Sequence, residues 1–190
     1  MLPIQVNLKD KVVVITGAGG VICSYLARIY AESGAKVALL DLNKEMAEKN
    51  AKVLREEGYV AYGYEANVLK KDSLSACHEQ ILKDLGPCDI LVNGAGGNNP
   101  RATTDNEFAE LDDAKKGIKS FFELDESGVE FVFNLNFLGT LLPTQIFAED
   151  RIGRKDCSIL NISSRNAFTP LTKIPAYSGA KAAVSNFTKW

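Results

Sequence analysis

The sequence predicts an α/β chain built on a doubly wound parallel sheet with strand order 3-2-1-4-5. Two observations carry this. As far as Val92, short β-branched runs alternate with amphipathic helical stretches over short connections. That alternation implies parallel strands, right-handed crossovers and helices on both faces. Two glycine turns, Gly17-Ala18-Gly19-Gly20 and Asn93-Gly94-Ala95-Gly96-Gly97, each follow a strand-like run. In that strand order both lie at the crevice between strands one and four, where open α/β sheets bind ligands.

The elements follow in order. Lys11–Thr16 is a β-branched run bounded by polar residues and glycine, the signature of a strand buried on both faces. Val21–Ser33 has helical apolar spacing. Strand, glycine turn and helix start together make a phosphate-binding turn, where the backbone comes close to a pyrophosphate and the helix N-terminus offers free N–H groups. Ala35–Leu40 is the second strand and ends at Asp41, 24 residues after Gly17. A carboxylate at about that distance accepts hydrogen bonds from an adenosine ribose and repels a 2′-phosphate. With Lys44 the nearest cation, NAD is favoured over NADP. Asn43–Glu57 is an amphipathic helix closed by Gly58, Tyr59–Tyr64 a third strand, Lys70–Leu85 a helix and Asp89–Val92 a fourth strand.

Residues 98–128 break the rhythm. Eight acidic residues stand against four basic ones, with apolar side chains interspersed. Short helices near the mouth of the cleft are expected, either covering substrate or serving as a structural or subunit-contact insertion. Val129–Asp150 reads as one long apolar helix containing Asn136, whose side chain could simply bond nearby backbone. Cys157–Ile162 is the fifth strand, Thr169–Pro175 a loop, and Tyr177–Trp190 the start of another helix.

Composition limits the function classes. At 190 residues, 46% hydrophobic and net charge −2, one packed domain over 1–190 is expected. Nothing in the charge suggests nucleic acid or an anionic membrane. No apolar run reaches transmembrane length, and residues 1–11 lack a signal-type apolar region, so a cytoplasmic protein is expected. Cys23, Cys77, Cys88 and Cys157 form no CxxC pair and read as reduced thiols. His78, the only histidine, lies in a polar helical stretch and reads as solvated, leaving little from which to build a metal site.

Tyr177 and Lys181 stand at i and i+4, and on a helix they share one face. An ammonium fixed near a phenol favours the phenolate, and such a phenol can exchange a proton with a carbonyl or alcohol oxygen. Ser164 could hydrogen-bond the same oxygen. A core tyrosine with a solvated lysine is the alternative for this pair taken alone.

With these residues in hand, the chain resembles the short-chain dehydrogenases/reductases. The resemblance rests on Thr16-Gly17-Ala18-Gly19-Gly20, Asp41, Asn93-Gly94-Ala95-Gly96, Asn136, Ser164 and Tyr177-x-x-x-Lys181, in the family's order over nearly the whole chain. Within the family it is most similar to the D-mannonate oxidoreductase (fructuronate reductase) group and to gluconate 5-dehydrogenase-like enzymes. The resemblance implies a Rossmann-type, NAD-dependent oxidoreductase moving a hydride between nicotinamide and a carbonyl or secondary alcohol of a sugar acid. By it, Tyr177 is the general acid/base, Lys181 tunes it and holds the nicotinamide ribose, Ser164 polarises the substrate carbonyl, and Asn136 anchors a relay water. Gly17, Gly20, Val21 and Ile22 would face the pyrophosphate and Asp41 the adenosine ribose. Asn67 and Val68 would lie at the adenine, and Asn93, Gly94 and Ala95 would flank the cofactor. A homodimer or homotetramer built on the helices of Asn136 and Tyr177 is implied as well.

Three departures stand out. Val21 and Cys23 occupy slots where the family commonly has glycine, and Asn67 replaces an aspartate. Further strands expected from the family are missing from the sequence, so the fifth strand is expected at an edge. A non-catalytic dinucleotide-binding or assembly module is therefore the alternative to an enzyme.

Overall fold

The computed structural model describes residues 6–190. Residues 1–5, part of the stretch read above for a signal-type region, lie outside the described residues. The chain divides into two compact units: the chain up to Ala95 with Thr140–Ile162, and Gly96–Gly139 with Ser163–Trp190.

The first unit holds the sheet. Strands β1 (Val12–Thr16), β2 (Lys36–Asp41), β3 (Ala61–Glu65), β4 (Ile90–Asn93) and β5 (Ser158–Asn161) run parallel in the order β3-β2-β1-β4-β5. Val14 pairs with Ala38 on one side and Leu91 on the other, and Leu91 pairs with Ile159. The period-two rule separates two cores. Val13, Ile15, Val37, Leu39 and Val92 pack against Ala27 and Ala31 of α1 (Val21–Glu32) and Ala47, Ala51 and Leu54 of α2 (Lys44–Glu56). Val14, Ala38, Leu40 and Leu91 pack against Leu74, Cys77 and Ile81 of α3 (Lys71–Asp84) and Phe147 of α5 (Gly139–Phe147). Each large apolar side chain buried this way contributes about 1.5–3 kcal/mol. Every residue of β1 is buried, as its unbroken apolar run requires, whereas β5 at the sheet edge alternates exposed and half-buried positions.

Chain ends of the helices follow their caps. The Asn43 side chain accepts from the Met46 N–H at the start of α2, and Tyr59 donates its N–H to the Leu54 carbonyl at its end. Tyr59 is thus spent on closing the helix, and β3 begins at Ala61 and not at Tyr59 as expected.

In the second unit, α4 (Glu126–Phe133) is capped by the Asp125 carboxylate, and α6 (Pro175–Lys189) starts with Pro175 in its first turn. Ala102, Val132, Ala176 and Ala180 form their shared core, joined by Val129 and Tyr177. Residues 98–128 do form short helical turns, at Pro100–Ala102, Ala114–Lys116 and Phe121–Glu123.

The single helix expected over 129–150 is corrected. It starts earlier, at Glu126, and widens into a π segment over Asn134–Leu138 before α5. The Asn136 Nδ2 donates 2.7 Å to the Val132 carbonyl four residues back. That carbonyl is the usual partner of the Asn136 backbone N–H, so the side chain competes with the helical ladder where it opens. Pro143 inside α5 supplies no N–H either.

Candidate active site

Within the first unit, the turn after β1 is set by close approaches. Gly17 has φ +70°, and a methyl on it would stand 2.9 Å from both the N and Cα of Ala95. Only glycine allows this turn to lie against the one after β4. The Thr16 hydroxyl accepts from the N–H groups of Gly94 (3.1 Å) and Ala95 (3.2 Å), fixing that second turn. Cys23, in the slot commonly held by glycine, is 4% exposed. Its sulfur sits where a Gly94 side chain would be, since a methyl on Gly94 would overlap it. The missing glycine on the helix is therefore matched by a glycine on the facing strand end.

Gly20 is the N-cap of α1 and makes no side-chain cap, and the first turn holds no acidic residue. The leading N–H groups of the helix, around Val21 and Ile22, thus meet no competing carboxylate from their own turn. Asp41 closes the edge of this region: one carboxylate oxygen accepts from the Gly19 N–H and the other from the Asn43 N–H, each at 2.9 Å. Two N–H donors fix the carboxylate and leave acceptor capacity on both oxygens.

Two of the predicted residues carry structural hydrogen bonds of their own. Asn67 turns its carboxamide oxygen onto the Leu69 N–H, building the turn before α3. Asn93 is 1% exposed, and its Nδ2 donates to Thr144 Oγ1 and Asn161 Oδ1, tying the end of β4 to α5 and β5. Val68 is buried beside Asn67.

The second unit carries the proton-transfer candidates. Lys181 is 4% exposed, and its Nζ lies 5.7 Å from the centroid of the Tyr177 ring. Asn136 is fully buried. Its Oδ1 accepts from the Gly97 N–H at 3.2 Å, and its Nδ2 donates to the Gly97 carbonyl and to Val132. The Asn136 side chain does bond nearby backbone, at Val132 and Gly97. A methyl on Gly96 would stand 2.7 Å from Asn136 Oδ1 and 3.1 Å from Lys181 Nζ, so both groups converge on that glycine. Ser164 Oγ accepts from the Asn166 N–H, which leaves its hydroxyl proton to donate elsewhere. Ser163, passed over in the sequence, donates to the Lys181 carbonyl and shares a 2.6 Å hydrogen bond with Ser185 Oγ. It ties the segment that carries Ser164 to α6. Its only sequence signal was adjacency to Ser164.

His78, read above as solvated, is only partly exposed: Nε2 lies 2.9 Å from both Asp150 oxygens and the ring packs edge-on to Phe147. The partner is 72 residues away, beyond any local pattern. Burial pushes the Cys77 and Cys88 thiols up to about 12, in line with thiols that stay protonated. Among the described residues no helix is long and apolar enough to cross a membrane, and no cluster of three metal-ligating side chains occurs.

The family model for the short chain dehydrogenases matches residues 11–190. The chain belongs to this family. A curated member from Haemophilus influenzae, named "Uncharacterized oxidoreductase", is 59% identical over 184 residues, which are 97% of this chain and 64% of that protein. The "Uncharacterized oxidoreductase UxuB" of Bacillus subtilis is 44% identical over 190 residues, all of this chain and 67% of its own length. The chain thus spans less than two thirds of its Haemophilus relative. Among solved structures it is similar to a "putative D-Mannonate oxidoreductase" from Haemophilus influenza with bound NAD, at TM-score 0.95 and 59% identity, covering 97% of this chain and 66% of that one. An NAD+-bound xylitol dehydrogenase is 25% identical, with TM-score 0.82 over 95% of this chain and 63% of that one.

Proposed function

We propose that this short chain dehydrogenase is an NAD(H)-dependent oxidoreductase acting on a carbonyl or secondary alcohol of a sugar acid such as fructuronate/mannonate or gluconate. The observation that carries the reading is the second unit's set of Tyr177, Lys181, Asn136 and Ser164, with Lys181 buried and 5.7 Å from the Tyr177 ring. NAD in the 59% identical Haemophilus structure, and that protein's name, support the cofactor and the substrate class.

The first unit's residues fit the cofactor. The uncapped α1 N-terminus, free of acidic side chains in its first turn, suits a pyrophosphate at Gly17, Gly20, Val21 and Ile22. The pre-set Asp41 carboxylate suits ribose hydroxyls and disfavours a 2′-phosphate. Asn67 and Val68 would take the adenine through backbone and apolar contact, and the backbone of Asn93, Gly94 and Ala95 would flank the cofactor. Bound NAD supplies or accepts the hydride.

The chain's own residues manage the proton and the geometry. Tyr177 gives its hydroxyl proton to the carbonyl oxygen in reduction and takes one from the alcohol in oxidation. Ser164 donates a hydrogen bond to that oxygen and orients it. Lys181 places positive charge beside the phenol as negative charge develops there. Asn136 holds Gly97 and the π segment, and so fixes the wall against which Lys181 rests.

Paired titrations of NADH and NADPH, followed by fluorescence, test the cofactor reading. Tighter NADH binding is expected, and equal binding would remove the role given to Asp41. Turnover on a sugar-acid panel should disappear in Tyr177→Phe, and retained turnover would sink the proton-transfer assignment. We also propose a homodimer or homotetramer. Phe131 (42% exposed), Phe133 (39%) and Leu138 (37%) leave apolar surface along the Asn136 helix. Light scattering at micromolar concentration decides, and a monomer would refute it.

A further inference from the structure

Outside α6, the cations of the second unit fall into two groups. In segment 98–128 each one is engaged locally. Lys115 lies 3.0 Å from Asp112, Lys116 3.8 Å from Glu110 and Arg101 4.0 Å from Asp125, and Lys119 Nζ donates to the Pro100 carbonyl. The connection from Ser164 to Tyr177 differs. It contains no Asp or Glu, yet carries Arg165 and Lys173. Neither has a carboxylate within 4.0 Å among the described residues.

Arg165 directly follows Ser164, and its backbone is tightly held. Its carbonyl accepts from both the Phe168 and Thr169 N–H groups at 3.0 Å, Ser164 caps the turn it opens, and Ser163 bonds to α6. Arg165 is an exposed residue that directly follows Ser164 in the chain, so its charge is open to a ligand.

We propose that Arg165 binds the carboxylate of the substrate and thereby sets the preference for acids over neutral polyols. This rests on the functional reading above. A guanidinium matches a carboxylate with two parallel charge-assisted hydrogen bonds, whereas Lys173 offers only a point charge. Lys173 is also partly buried, with φ +72° and its carbonyl engaged by the Thr104 N–H. Arg165 fixes one end of the substrate while Ser164 and Tyr177 address the reacting oxygen, so a sugar acid is held in one register.

The test compares D-mannonate with mannitol, which differ in the carboxylate. Binding to the chain saturated with NADH is read by calorimetry, and turnover is read separately. Wild type should prefer the acid by about 10- to 100-fold, the range of a hydrogen-bonded charge pair. Arg165→Met should abolish that preference and leave mannitol binding unchanged. Arg165→Lys should keep part of it, and Lys173→Met nearly all of it, with circular dichroism showing that each variant is folded. Equal binding of the two ligands by wild type, or a preference that survives in Arg165→Met, overturns the proposal. An Arg165-dependent preference without any turnover would uphold it and sink the oxidoreductase reading instead.

Discussion

Replacing Gly94 and Cys23, singly and together, probes how the turn after β4 is packed. A methyl on Gly94 would overlap the Cys23 sulfur and stand 2.9 Å from the Thr16 carbonyl oxygen. Neither neighbour yields easily, because Thr16 is a buried strand residue and Cys23 a buried helix residue. Gly94→Ala should therefore cost near the upper end of the overpacking range, about 3 kcal/mol. Cys23→Ala removes one buried sulfur and should cost about 1 kcal/mol, partly offset by about 0.5 kcal/mol of helix propensity. In the double variant the sulfur overlap is gone and only the Thr16 approach remains. A favourable coupling of about 1–2 kcal/mol is expected, within the range of residues in direct contact. Urea unfolding followed by circular dichroism measures all four corners of the cycle. Additivity to within about 0.5 kcal/mol would show that the sulfur does not fill the Gly94 site and would refute the packing argument.

Gly96→Ala would bring a methyl to 2.7 Å from Asn136 Oδ1 and 3.1 Å from Lys181 Nζ. It should cost about 1–3 kcal/mol and lower turnover about 100-fold by displacing Lys181, checked by thermal melts and by the NADH assay; an unchanged melt and rate would contradict the convergence of these groups. At Gly97 the nearest neighbour of an added methyl is Leu135 Cδ2 at 3.7 Å, so Gly97→Ala should change stability by less than about 1 kcal/mol. Cys77 and Cys88 are raised by burial from 9.0 to about 12. A folded pKa above the unfolded one means stability is full below about pH 9 and lost as pH climbs toward 12. Thermal melts should fall steadily above pH 9, and a flat profile to pH 11 would show that the thiols ionise freely in the native state. Asn136→Ala should cost about 2–4 kcal/mol, because it strands the buried groups it serves. Denaturant unfolding checks this, and a loss below 1 kcal/mol would mean the π segment does not need its side chain.

Much of this protein was determined by the sequence alone. The strands, their order and the two glycine turns follow from local periodicity and from glycine's steric freedom, both carried by neighbouring residues. Tyr177 and Lys181 share a helix face because four residues make about one turn. The family's motifs were legible for the same reason. Tertiary structure decided the rest, because it depends on partners distant in the chain. The π segment at Asn136 arises where the side chain takes the Val132 carbonyl and Gly97, 39 residues away, holds its other end. Cys23 fits where it does only because Gly94, distant in the chain, has no side chain. Asn93 turns inward to Thr144 and Asn161, and His78 finds Asp150, through packing that no local pattern encodes. Local spacing fixes which elements form, and only the packed fold fixes which side chains meet.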